Sequence, residues 1–441
     1  MYESKKPAPP SRPAALTIIN GRIARLSQKP TLVILLLILF FTLRGSFSPS
    51  TNTHIHKPRD FPEKIWQTWK VDPLSLEPRE QARAQSWLHK NPTYRYEVLT
   101  DNNDIHYVET RYGPSGLNRP DIVYIYRQIT AKIVRADMLR YLVMYAEGGV
   151  YSDIDVEALR PVSRFIPDQY LGQDVDMVIG VEIDQPEFAG HKVLGEKCMS
   201  FCQWTFMAKP GLPIMLKLVE RIIHWLNDES RRQNLPISGL KLDFNGIIAG
   251  TGPSAFTEAI LDDISNRIGR QVTWLDTFHN MAESKLMAGY LILTVEAFAA
   301  GQGHSDSGNH HARSALVKHH YHASGWPTLH PRFSHPIYGE VERCNWNAQC
   351  VKDWDENTAK FDVLPPAEKI IQLAIKKSKD EALAQEQAAK AQAQAQAQAQ
   401  GAAAIPGLPV ANFPGGIPMD VPVAVPAIVP VNPVGFPAIP P

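Results

Sequence analysis

The chain has 441 residues, enough for one large domain or two average ones. Lysine plus arginine and aspartate plus glutamate each total 45, so no overall field selects nucleic acid or another strongly charged partner. Neither end has a globular composition, which confines the folding core to 61–365.

Lys5, Lys6, Arg12, Arg22, Arg25 and Lys29 precede an uncharged run, TLVILLLILFFTL, that begins at Thr31. Arg44 can snorkel and let the helix run on to Phe47. The pattern predicts a cytosolic tail (1–30), a transmembrane signal anchor (31–47), a polar stem (48–60) and a lumenal remainder. The run is shorter than the ~20 residues of an ordinary span, so a cleaved signal peptide is the alternative, although the flank before it is long for one.

Within the core, 61–70 predicts a first strand, 79–89 a helix, and the alternation over 94–99 a second strand. The clearest helix is 129–147, with Ile129, Ile133, Ala136, Val143 and Ala146 on one side. Gly148 and Gly149 end it, because glycine accepts the left-handed cap conformation. Strands are expected at 150–156, 176–183, 272–275 and 291–295, and helices at 213–227 and 253–268. Alternating strands and helices predict an α/β fold with a mixed, mostly parallel sheet flanked by helices. Residues 366–390 predict an exposed helix. An Ala-Gln repeat and a Pro-, Ala- and Val-rich run then predict a disordered tail over 391–441.

The cysteines fall in two pairs, Cys198 with Cys202 and Cys344 with Cys350. An oxidising lumen would allow two local bridges, though four cysteines permit three pairings. Buried free thiols and a zinc cluster are the alternatives, the latter lacking the usual spacing.

The chemistry centres on Asp153 and Asp155, which follow Gly148-Gly149-Val150-Tyr151-Ser152. On a strand, residues two apart face the same way, and the carboxyl edge of an open α/β sheet is where ligands bind. Two carboxylates there suit Mn2+ or Mg2+ that substrate phosphates also hold. Alone, such a pair also describes two solvated surface acids; the glycine pair, the preceding helix and the lumenal placement favour the metal. Asp137 and Arg140, three apart on that helix, are either an intrahelical ion pair or ligands for sugar hydroxyls. Trp66 suits a nucleobase, and Trp204 and Trp326 suit sugars, with burial in the core as the alternative for each. His304, His310, His311, His319, His320 and His322 crowd a Gly- and Ser-rich stretch without the spacing of a zinc site. Of these, His320 or His322, near Ser324 and Trp326, is the candidate to approach the metal or the phosphates.

Together these segments resemble the fungal initiation-specific α-1,6-mannosyltransferases, in the wider group of sugar transferases with a D-x-D region. The resemblance rests on IWQTWK at 65–70, RADMLRY at 135–141, GGVYSDID at 148–155, GVE at 180–182, FCQW at 201–204, AKPG at 208–211 and TGP at 251–253. It implies a GT-A (Rossmann-like) fold, a single-pass type II Golgi membrane protein, GDP-mannose as donor, Mn2+ as the ion, an N-linked oligosaccharide as acceptor, and retention of configuration. By the same resemblance Asp137 and Arg140 meet the donor sugar, Trp66 its base, and Asp153 and Asp155 the metal diphosphate; Ser324 and Trp326 are further candidates on the donor side. His322 is expected as a third metal ligand, and Glu182 and Trp204 on the acceptor side. The family's His-aromatic-Ala-Gly-Ser-Trp ending is shifted by a residue here, in HHYHASGW at 319–326. A sister subunit of a mannan polymerase complex and a non-catalytic scaffold of the same fold are alternative readings. An aspartyl-phosphate phosphatase is disfavoured because Val156-Glu157 follows the pair and no later acidic motif appears.

Overall fold

The computed structural model describes residues 60–322 and 325–403. The expected cytosolic tail, anchor and stem, the tail beyond 403, and Ser324 lie outside the described residues. Among those described, no helix is long and apolar enough to cross a membrane. The described residues divide into two compact units, one of 60–322 and 325–333 with 341–348 and one of 334–340 with 349–403.

Among its described residues the first unit has ten strands: β1 (Lys64–Trp69), β2 (Arg95–Thr100), β3 (Gly149–Ser152), β4 (Val156–Ala158), β5 (Met177–Asp184), β6 (Met199–Phe201), β7 (Thr205–Ala208), β8 (Lys285–Met287), β9 (Tyr290–Leu293) and β10 (Val317–His319). The main sheet runs β2-β1-β3-β7-β5-β9-β8, with β6 beside β5. β2, β1, β3, β5 and β9 point one way, while β7 and β8 reverse. The sheet is thus mixed and mostly parallel, as expected. Its principal helices are α1 (Pro78–Lys90), α2 (Asp104–Tyr112), α3 (Pro120–Gln128), α4 (Lys132–Ala146), α5 (Pro213–Gln233), α6 (Phe244–Gly250) and α7 (Pro253–Ile268).

Strand alternation sends neighbouring residues to opposite faces. Trp66, Tyr151, Ile179, Phe206 and Ile292 enter one apolar core with the α4, α5 and α7 side chains. Ile65, Val150, Val178, Met207 and Leu291 enter a second with Trp87 and Phe298. A sheet buried on both faces requires this continuous apolar run along its strands.

Several elements differ from expectation. Residues 129–131 are extended, so α4 starts at Lys132, and α2 and α3 precede it without having been expected. α4 is buried around most of its circumference from Asp137 to Met144, instead of along one stripe, because it packs against both α2 and α5. The expected strand at 272–275 is instead a one-turn helix, Trp274–Thr277, capped by the Thr273 hydroxyl. The strand expected over 150–156 ends at Ser152: the Asp153 carbonyl turns to accept from the Val156 amide, and β4 leaves to pair with β10 in a separate two-stranded sheet. Gly148 and Gly149 make the expected left-handed turn, with φ of +64° and +97°. A Cβ on Gly149 would lie 2.5 Å from the Lys64 carbonyl oxygen, so β1 can approach β3 only because this residue is glycine.

Between α7 and β9, the Asp263 carboxylate accepts from Lys217 Nζ (2.5 Å), the Tyr290 hydroxyl (2.6 Å) and Arg267 Nε (2.6 Å). Burial alone would raise this carboxyl, but the Lys217 and Tyr290 hydrogen bonds and the two cations outweigh it and hold it below the usual aspartate range. A depressed folded-state pKa stabilises above the unfolded value of about 4 and is lost as pH falls through the lower folded value. Asp263→Asn is therefore expected to flatten the loss of stability below about pH 4, read as the pH dependence of the urea midpoint.

The second unit holds most of α8 (Ala348–Asp362) and α9 (Pro366–Ala403), with the His335 ring against Tyr338 and Phe361. α9 extends past the expected end at 390 and takes in the Ala-Gln repeat, since alanine and glutamine are both good helix formers. Cys344 and Cys350 are disulfide-bonded, whereas Cys198 and Cys202 are buried free thiols.

Candidate functional site

β1, β3, β5 and β9 share one direction, so their carboxyl ends form one edge of the sheet, and Asp153 and Asp155 lie just beyond β3 on that edge. The two acids occupy the turn between β3 and β4, not a strand. They are brought together by the turn, not by strand alternation.

The turn is fastened from several sides. The Asp153 amide donates to the Trp204 carbonyl (2.8 Å), and Gln67 Nε2 donates to the Asp153 carbonyl (3.0 Å). Asp153 Oδ1 accepts from the Tyr151 hydroxyl (2.8 Å) and from Arg140 Nη2 (3.2 Å). The same Arg140 nitrogen lies 3.2 Å from Asp137 Oδ1, and Nη1 donates to the Gln203 carbonyl (3.3 Å). The guanidinium also sits 5.0 Å over the Tyr151 ring. Asp137 Oδ2 accepts from the Thr251 hydroxyl (2.6 Å).

Asp137 and Arg140 are thus neither a surface ion pair nor exposed to solvent: they are 3% and 4% exposed. They tie α4 to the Asp153 turn and to the loop before α7. Burial pushes the Asp137 carboxyl up to about 6 against the opposing pull of Arg140 and Thr251. Burial would lower the Arg140 guanidinium, but Asp153, Tyr151 and Asp137 outweigh it and raise it further. Arg140 Nε is buried and has no partner among the described residues.

Asp155 is held from β10. Its Oδ2 accepts from the His322 amide (2.8 Å) and lies 3.3 Å from His319 Nε2. Burial alone would raise this carboxyl; the His319 imidazole and the His322 amide outweigh it and hold it at about 2. Burial would lower His319, and Asp155, followed by Glu182 and Asp153, raises it instead. Asp153 goes the other way, pushed up by burial and by Asp155, although 28% of its side chain reaches solvent. The His319 ring packs at 4.4 Å from Trp204 and 4.0 Å from Tyr321.

The histidine facing the acids is therefore His319, which sequence reasoning passed over. The signal was strand alternation: Val317 and His319 share a face, and His319 is registered against Val156, next to Asp155. His320 instead meets Glu157 (3.0 Å). His322 donates its backbone amide to Asp155 Oδ2.

Trp66 is 6% exposed, donates its indole N–H to the Gly148 carbonyl (3.1 Å) and packs on Tyr107, so its position is that of a core residue. Trp326 is half-buried and stacks on Phe244 at 4.8 Å. Glu182 and Trp204 do meet: the indole N–H donates to Glu182 Oε1 (2.8 Å), and burial pushes that carboxyl up. Gln67, beside Trp66 in the same motif, was also passed over, and it supports the turn directly.

No group of three His, Cys, Asp or Glu side chains arranged to hold a metal occurs among the described residues. In Asp153 and in Asp155, one carboxylate oxygen takes the hydrogen bonds from other residues and the second takes none from those described. Two hard oxygen donors left uncommitted fit Mg2+ or Mn2+, whose remaining positions go to water and substrate phosphates.

Residues 77–174 match the glycosyltransferase sugar-binding region containing the DXD motif. That stretch includes Asp137, Arg140, Asp153 and Asp155. The chain is 33% identical over 269 residues to an initiation-specific α-1,6-mannosyltransferase of Schizosaccharomyces pombe, covering 60% of this chain and 64% of that protein. It is 29% identical over 297 residues to the Candida albicans protein of the same name, covering 63% of this chain and 75% of that one. The alignment to the first relative thus spans less than two thirds of its length. The solved PaToxG glycosyltransferase aligns with a TM-score of 0.32 at 16% identity, over 47% of this chain and 72% of that one. The chain carries the DXD-containing sugar-binding region of glycosyltransferases and is similar in sequence to the fungal initiation-specific α-1,6-mannosyltransferases.

Proposed function

We propose that the chain is a GT-A-type mannosyltransferase that moves mannose from GDP-mannose to an N-linked oligosaccharide, forming an α-1,6 bond with retention. It depends on a divalent cation, Mn2+ in this reading, and works as a single-pass type II protein of the Golgi membrane with its catalytic part lumenal. The observation that carries the reading is the pair Asp153 and Asp155, each fastened through one oxygen and uncommitted at the other, on the carboxyl edge of the sheet.

Asp153 and Asp155 would hold the cation, which when bound offsets negative charge on the departing diphosphate. The buried, unpartnered Nε–H of Arg140 is a donor left for a sugar or phosphate oxygen. Glu182 accepts from Trp204, and Asp137 from Thr251 and Arg140, so neither nearby carboxylate is presented as a free nucleophile. This favours front-face displacement. The bond from the anomeric carbon to the diphosphate breaks as the acceptor hydroxyl attacks on the same face, and the hydroxyl proton passes to the departing phosphate oxygen. The protein's share is positioning and fixed charge.

The test is to incubate the chain with GDP-mannose, Mn2+ and a high-mannose glycan and to assign the new bond by NMR. An α-1,6-linked mannose that chelation abolishes is the expected product. No transfer by a folded sample, or transfer unaffected by chelation, defeats the reading.

A further inference from the structure

A second concavity lies on the same edge of the sheet. It measures about 780 Å3 and opens where β9 stops alongside β5, between the end of β5, residues 278–282, residues 294–296 and the 305–306 turn. Its size is within the roughly 300–1,000 Å3 of small-molecule sites, so it has room for more than one sugar ring.

The chemistry of its wall is one-sided. Asp184, Glu187, Glu296 and Asp306 line it together with Gln185 and Asn280, and among the described residues that line it there is no lysine or arginine. Such a wall repels a diphosphate and accepts hydrogen bonds from hydroxyls. Part of the rim is also pre-set. Asp184 Oδ1 accepts from Trp274 Nε1 (2.7 Å) and lies 3.0 Å from His279 Nδ1, while Oδ2 accepts from the Asn280 amide (2.7 Å). Those bonds hold Asn280 in a left-handed conformation, φ +52°, at the cavity edge. A rim fixed before binding loses less freedom when a flexible ligand arrives.

The cavity is also coupled to the acidic pair. Asp153 bonds the Trp204 backbone, the Trp204 indole bonds Glu182, and Asp184 follows Glu182 by two residues on β5, about 7 Å along a strand. We propose that this cavity is the acceptor subsite, taking a neutral, hydroxyl-rich oligosaccharide and presenting one of its hydroxyls toward Glu182 and the acidic pair. The proposal rests on the transferase reading above and adds to it where the acceptor lies.

The test is steady-state kinetics of the full chain with GDP-mannose, Mn2+ and a labelled high-mannose oligosaccharide. Two variants at exposed positions are compared with the parent: Ala282→Trp, which fills the cavity, and Glu187→Lys, which reverses a charge on its wall. Acceptor KM is expected to rise about ten-fold or more in at least one variant, with KM for GDP-mannose within about two-fold of the parent. A smaller change in acceptor KM in both variants, or a parallel rise in donor KM, overturns the proposal. Failure of the underlying reading looks different: the parent chain then consumes no GDP-mannose at all.

Discussion

Asp153→Asn is expected to cut kcat by about 10²- to 10³-fold, the scale of removing one well-placed electrostatic group from an active site, while leaving the protein folded. Asparagine keeps an oxygen where Oδ1 accepts from Tyr151 and Arg140, so the struts of the turn survive. What it loses is the negative charge and with it the grip on a cation. Mn2+ affinity, measured calorimetrically in the presence of GDP, should fall in parallel, and the urea midpoint should correspond to a stability change of no more than about 1 kcal/mol. A variant that keeps its Mn2+ affinity and most of its turnover would remove Asp153 from the metal site. Asp153→Ala makes a poorer test, because it also strips Arg140 of an acceptor.

Arg140→Met is expected to be the most destabilising single change near the site, by about 3–5 kcal/mol, the range for breaking a buried ion pair by deleting one partner. Methionine fills much of the space but leaves Asp137 and Asp153 facing each other with no cation between them. Lysine should not restore stability. One ammonium cannot reproduce the fork that reaches Asp137, Asp153 and the Gln203 carbonyl while sitting over the Tyr151 ring. Urea unfolding of both variants checks this, and a loss under about 1 kcal/mol in either one would sink the strut assignment.

Both expectations depend on features that differ in how far the linear chain discloses them. Helix α7 begins and ends where Pro253 and Ile268 were expected to bound it, because proline at the first helical position and a glycine just past the end are local devices. The glycine turn before β3 is equally local. α2 and α3 were not apparent, being single nine-residue helices between loops. The break at Asp153 escaped because alternation over 150–156 reads as one strand. Nothing within the segment reports that Gln67, Trp204 and β10 hold it in a turn. The surroundings of Trp66 were hidden for the same reason: a tryptophan in a motif says nothing about whether its indole N–H is engaged by a carbonyl 82 residues away.

By itself, the order of residues determined the alternating α/β pattern, the glycine-flanked acidic pair, and the motifs that tie the chain to mannosyltransferases. These are properties of spacing and local backbone preference, expressed within a few residues of where they are written. Only the tertiary structure decided that His319 faces Asp155, that Arg140 is a buried brace, and that an acidic cavity opens at the end of β5. Each of these depends on segments tens to hundreds of residues apart meeting at one sheet edge, and burial, charge pairing and register acquire values only once that meeting has occurred.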